Sequence, residues 1–251
     1  MQPTAGAMTQ GPNTMKPASF DSIVSASRKL LPKTAADTVL TIENELTAIR
    51  DSSRMAAVFM RLAGVWGRNN IVPVMAYYTG KSAKLENSQK KLTFAAQIFL
   101  QLMENERDPS VQSWEAREAV SCLEQSIKLA PDDEDTKLAL ATGYIEGTGE
   151  PMRGVQILLG ITREKPGDIP ANMLLGRMSI QSGQYDKGIG RFETILKQEP
   201  ENKEAIFFLV QAYEGKGDKT KAIEQLEKLK QLVTDNPAFT KELEQHINSL
   251  K

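Results

Sequence analysis

A period of 34 residues runs through the C-terminal half of this chain and limits its fold more than any other feature. Gly183 and Gly217 stand 34 residues apart. In "QSGQYDKGIGRFETIL" and "GKGDKTKAIEQLEKL", Lys187 aligns with Lys221, Gly188 with Ala222, Phe192 with Leu226 and Ile195 with Leu229. One period earlier, in "EGTGEPMRGVQILLGI", Gly154, Leu158 and Ile161 take the places of Gly188, Phe192 and Ile195. Leu140, Leu175 and Leu209 keep the register at intervals of 35 and 34, the extra residue falling near the turn "GTGEP". Pro131, Pro166 and Pro200 close successive units, each 12 residues after a small residue: Ala119, Gly154 and Gly188. Repetition at this spacing means stacked copies of one small element, none of which can bury its apolar face alone.

Each copy reads as two helices. The first offers a large apolar residue, then a small one, then an aromatic, as in Leu140-Ala141-Tyr144. Leu175-Gly176 and Leu209-Tyr213 repeat parts of the set. The small residue lets the second helix come close. The second helix answers with a small residue near its start and large ones beyond it, as in Gly188-Phe192-Ile195. Proline ends it, because the residue before proline is pushed out of the helical region. These residues resemble the tetratricopeptide repeat family, of bacterial type. The match is specific over residues 119–237, with copies at about 134–168, 169–202 and 203–236. Ser179 stands at an expected aromatic position, Val210 at an expected small one, and Thr234 replaces a closing proline. The resemblance implies an all-α fold, a right-handed superhelical solenoid of antiparallel helix pairs.

The stretch "GKGDKT", residues 215–220, invites comparison with a phosphate-binding loop. Such a loop needs Gly-x-x-x-x-Gly-Lys-Ser/Thr after a hydrophobic strand. Here Asp218 separates Gly217 from Lys219, and the preceding "AIFFLVQAYEG" has helical repeat spacing. The stretch is expected to be the turn of a helix hairpin, with Gly217 at positive φ.

Upstream the signal weakens. In "LTFAAQIFLQLMENE", Phe94, Ile98 and Leu102 share one face of a helix. Its partner helix is "SWEAREAVSCLEQSIKLAP", and an insertion around "RDPSVQ" extends the hairpin. Cys122 on that helix is expected to be packed rather than reactive. Leu62, Ala63 and Trp66 imitate Leu140, Ala141 and Tyr144, and a further helix with Met75, Tyr77 and Tyr78 follows Pro73. Residues 54–118 are therefore assigned to a degenerate repeat-like region. Residues 19–53 hold two N-terminal helices split by Pro32, which either cap the solenoid or, through Phe20, Ile23 and Leu30, fill its groove. Residues 1–18 form a Pro/Gly/Thr-rich tail expected to be disordered. Residues 238–251 form a C-terminal capping helix with a polar outer face.

Composition narrows the function. Lys plus Arg total 31 against 32 Asp plus Glu, a net charge of −1, so no strong positive field invites nucleic acid. One histidine, His246, excludes multi-histidine zinc sites and disfavours a catalytic triad; it reads as a structural or solvent-facing residue. One cysteine excludes an intrachain disulfide. No run of 18 apolar residues exists, so membrane insertion by this chain is not expected. The acidic run "DDED" lacks the ligand spacing of a calcium loop. The charge-rich stretches are solvated loops and outer helix faces. No catalytic, cofactor-binding or metal-binding residue is singled out.

In the family that the chain resembles, the first helix of each pair lines a concave groove. The resemblance places Leu138, Thr142 and Ile145 there in one copy, Met173, Arg177 and Gln181 in the next, and Phe207, Gln211 and Glu214 in the third. An apolar residue opens each row and a polar one follows a turn later, which suits an extended peptide or a partner helix. The bland alternative is that Leu138, Met173 and Phe207 complete the core. The lysines and asparagines with which some family members clamp a terminal carboxylate are not in these rows. The function expected is a non-enzymatic adaptor binding a protein or peptide, with no cofactor and with self-association left open. The alternative is a structural module of a bacterial envelope assembly, tethered by a segment absent from this chain. Location follows the choice: cytoplasm, or cell envelope with an upstream anchor.

Overall fold

The computed structural model describes residues 16–251. Most of the tail expected to be disordered lies outside them. Among the described residues there are thirteen α-helices and no strand. The chain divides into two compact units, one ending at Gly154 and the other beginning at Val155.

The first unit holds α1 (Phe20–Arg28), α2 (Lys33–Ala48), α3 (Ser52–Arg68), α4 (Val72–Glu86), α5 (Gln89–Asn105), α6 (Pro109–Leu129) and α7 (Glu134–Glu146). Hairpins α3–α4 and α5–α6 stack in sequence, α7 packs on α6, and α2 lies on α3. Leu62, Ala63 and Trp66 are buried, as their likeness to the later repeats requires. They share a core with Val39 and Ile42 of α2 and with Tyr78 of α4. The helices of the second hairpin are long, 17 and 21 residues. The extra residues around "RDPSVQ" thus extend helix rather than loop. Asp108 caps α6 by accepting from the Ser110 amide at 2.8 Å, and Pro109 occupies the first turn, where no amide is missed.

The buried face of α5 differs from the expected one. Phe94 is 53% exposed, while Leu92, Ala95, Ala96, Phe99 and Met103 form the buried side of α5. The helix packs on both α4 and α6. Close approach there favours small residues: a Cβ on Gly80 would lie 3.7 Å from Ala95 Cβ and 3.0 Å from Cys122 Sγ. Cys122 is buried, as expected.

α8 (Pro151–Glu164) straddles the division. The second unit continues with α9 (Ile169–Gln181), α10 (Tyr185–Gln198), α11 (Lys203–Lys216), α12 (Lys219–Gln231) and α13 (Pro237–Leu250). Helices α9 to α12 form two successive hairpins, and α13 packs on α12 through Leu243 and Ile247. Within each unit every helix thus packs chiefly on its sequence neighbours, the arrangement of an all-α solenoid.

The repeat spacing has a visible cause. A Cβ on Gly176 would stand 2.5 Å from the ring of Phe192, so only glycine lets that ring seat against α9. One period on, Val210 and Leu226 share a core. The larger residue on the first helix meets a smaller one on the second. The helix starts repeat as well. Asp133, Asp168, Asn202 and Asn236 each cap a helix, accepting from the amide three residues ahead, and they recur at intervals of 35, 34 and 34.

Candidate partner-binding face

The candidate residues of the second unit stand on α9 and α11, the first helices of its two hairpins, which touch each other. Phe207 is 43% exposed, an aromatic ring left in water on an otherwise well-packed helix. Its neighbour Phe208 turns inward and stacks on Phe192, with centroids 5.5 Å apart and planes 15° apart. The two phenylalanines meet edge to face at 5.7 Å, so the exposed ring rests on a ring rooted in the core. The Arg177 guanidinium lies 5.8 Å from the Phe208 centroid, close enough for cation–π attraction. Gln181 is exposed and Gln211 half-buried. Arg177, Phe208 and Phe207 thus join α9 to α11 in one surface of charge and aromatic carbon.

Met173 is buried at 8% and shares the core of Phe192, Leu209 and Tyr213. That is the bland alternative, a residue completing the core. The Glu214 carboxylate lies 2.6 Å from Nε2 of His246 on α13. The single histidine therefore ties the terminal helix to α11. On α7 of the first unit, Leu138 and Thr142 are half-buried, and the Thr142 hydroxyl donates to the Leu138 carbonyl at 3.1 Å. Ile145 is half-buried.

Phe208 was missed in the sequence. In "AIFFLV" two phenylalanines stand side by side, and 3.6-residue periodicity does not say which faces out when Ile206, Leu209 and Val210 are also apolar.

The loop "GKGDKT" carries no phosphate cradle. Gly217 has φ +80° and ends α11, its amide donating to Glu214 O and the Asp218 amide to Tyr213 O, both at 2.9 Å. The Asp218 carboxylate accepts from the Lys221 amide at 3.1 Å. It occupies the helix N-terminus that a phosphate would need. Gly183 does the same work one period earlier, at φ +72°. Among the described residues no group of three or more His, Cys, Asp or Glu side chains could hold a metal ion. Nor is any helix among them long and apolar enough to cross a membrane.

A family model for the tetratricopeptide repeat matches residues 179–241. Residues 179–241 thus carry tetratricopeptide repeat sequence. The match falls on α10 to α12, with the end of α9 and the start of α13. Several solved tetratricopeptide-repeat structures resemble this chain. YrrB, described as a protein with an unusual peptide-binding site, superposes with a TM-score of 0.53 at 17% identity, over 77% of this chain and 92% of its own. Residues 41 to the end of MamA from Desulfovibrio magneticus RS-1 give 0.57 at 17%, over 75% and 100%. PilW, a type IV pilus biogenesis factor, gives 0.57 at 16%, over 78% and 85%. At such identities the likeness is one of fold. No curated protein matches the chain.

Proposed function

We propose that this chain is a non-enzymatic adaptor that binds a protein or peptide partner through the first-helix face of its second unit. The observation that carries the reading is Phe207: a 43% exposed aromatic held rigid by Phe208, beside the charge of Arg177. A pre-set aromatic costs little entropy to bury, and such residues dominate binding energy at interfaces. Gln181 and Gln211 flank it with donors and acceptors suited to a partner's backbone. Met173 supports the face from beneath rather than contacting the partner. Leu138 and Thr142 on α7 offer a second, smaller patch in the first unit. That the similarly folded YrrB is described as binding peptide is in keeping with this reading.

The test works at one position. A photo-crosslinking residue at Phe207 in native cells identifies the partner. Phe207→Ala then weakens its binding by about 2 kcal/mol, roughly thirtyfold, with the helical spectrum and melting temperature nearly unchanged. Unchanged affinity with a sharply lowered melting temperature would make Phe207 a packing residue and end the proposal.

A further inference from the structure

The charges of this chain are not spread evenly. Its 31 lysines and arginines nearly balance 32 acidic residues, yet residues 52–103 hold seven of the cations and one acid, Glu86. Helix α3 opens this stretch and carries three arginines and no acid. Arg54, Arg61 and Arg68 recur every seventh residue, so they stand on one side of the helix, about 10.5 Å from one to the next. All three are exposed, on the side turned away from the core of Val58, Leu62 and Trp66. Between them lie Ala57 and Met60, both exposed, and Gly64. The Arg68 guanidinium reaches back over Gly64, where an added Cβ would stand 3.4 Å from its Nη1. The outer face of α3 is thus a low apolar floor with one methionine, set among three guanidiniums.

One carboxylate shows what this face accepts. Glu45, near the end of α2, takes both arms of the Arg61 fork, at 2.5 Å from Nη1 and 3.0 Å from Nη2. That hydrogen bonding holds the Glu45 carboxyl below the usual carboxylate range. Arg54 and Arg68 make no ion pair among the described residues. Their planar forks suit the same kind of partner. We propose that the outer face of α3 docks an acidic amphipathic helix of another protein, one whose carboxylates recur every seventh residue beside an apolar stripe. Arg54 and Arg68 pair with those carboxylates, and Ala57, Met60 and Gly64 take the stripe between them. Exposed ion pairs alone contribute little, so the apolar floor is needed to hold the contact. No aromatic ring stands in that floor for bases to stack on, which sets it apart from a nucleic-acid groove. The chain's own densest acidic run, residues 132–135, does not match the spacing. Its four carboxylates are consecutive at the start of α7, where Asp133 accepts from the Thr136 amide at 3.1 Å and from Gln89 Nε2 at 2.6 Å. A second copy of this chain is therefore not the occupant.

The probe is a fluorescent synthetic helix with glutamate at every seventh position and leucines on the stripe between, used beside matched glutamine and lysine forms. The full chain should bind the glutamate form at least about tenfold more tightly than the glutamine form at low salt, and the gap should shrink as salt rises. Arg54→Glu combined with Arg68→Glu should reverse the preference, so that the lysine form binds best. That reversal also shows the variant to be folded. Lys197→Glu combined with Lys219→Glu makes the same change of net charge on exposed residues of the second unit and should alter nothing. Met60→Ser should weaken the glutamate and glutamine forms alike. Phe207→Ala should leave all three unchanged, since this face is independent of the one proposed above. Equal binding of the glutamate and glutamine forms, no gain for the lysine form, or an equal loss in the Lys197 and Lys219 variant would overturn the proposal. So would an unaffected Met60→Ser chain. Displacement of the probe by single-stranded RNA at equal concentration would overturn it too, by making the face a reader of phosphate.

Discussion

At the scale of single residues, the chain hides a proton. Glu115 on α6 is 1% exposed, and its Oε2 has no hydrogen-bond partner. Burial pushes its carboxyl up to about 7, with a smaller push from the charge of Glu106. The folded state therefore holds this proton where the unfolded chain has released it. Stability attributable to Glu115 falls as pH rises from the ordinary carboxylate range to about 7, and levels off above that. Glu115→Gln cannot lose a proton. On this account it should gain on the order of 2 kcal/mol relative to wild type between pH 4.5 and pH 8, read by denaturant melts at each pH. A constant difference between the two proteins would refute the assignment. Cys122, its thiol pushed up to about 11 chiefly by burial, should resist a thiol reagent at pH 8 until the chain is unfolded. At the hairpin turn, Gly217→Val forces a branched residue to φ +80° and should cost about 1 kcal/mol or more. Lys219→Ala, exposed on the first turn of α12, should change nothing measurable.

At the scale of helices, the sequence was legible where one apolar stripe meets one neighbour. The 34-residue register located α9 to α12, and it put a small residue, Gly176, where the second helix of the pair comes close. Legibility failed where a helix has neighbours on two sides. On α5 the period-3.6 rule selected Phe94, but alanines face the core because α4 and α6 crowd it, and crowding is a tertiary fact. The same limit hid Phe208 behind Phe207. For the candidate face, residue positions followed from the register, but the burial of Met173 and the tie between Glu214 and His246 depend on packing that no single helix encodes. The capping residues were readable and went unread: Asp or Asn three residues before a helical amide is a start signal in its own right. Asp168→Ala should cost about 1 kcal/mol and fray α9, measured as faster amide exchange in its first turn. Gly176→Val should cost more, of order 1–3 kcal/mol, because the Phe192 ring must be displaced.

At the scale of the whole molecule, contacts run mainly between sequence neighbours, and stability is then a sum over adjacent pairs rather than a property of one core. Leu226→Ala, in the cluster that joins α11, α12 and α13, should cost about 2–5 kcal/mol locally. Hydrogen exchange should show that loss in α11 to α13, while amides of α3 to α6 keep their protection. Uniform loss of protection along the chain would mean that the two units unfold together.

The recurrence of the capping residues bears on how such a chain changes length. Asp168 and Asn202 each begin a helix in the same way, 34 residues apart. A gene segment running from one cap to the next would carry a complete start signal, a complete hairpin and the turn that ends it. Duplicating or excising it leaves both new junctions chemically ordinary. Recombination within α9 or α11 would instead put mismatched faces together. The caps are thus natural seams, at which the chain could be lengthened or shortened by one whole copy without a new joint having to be invented.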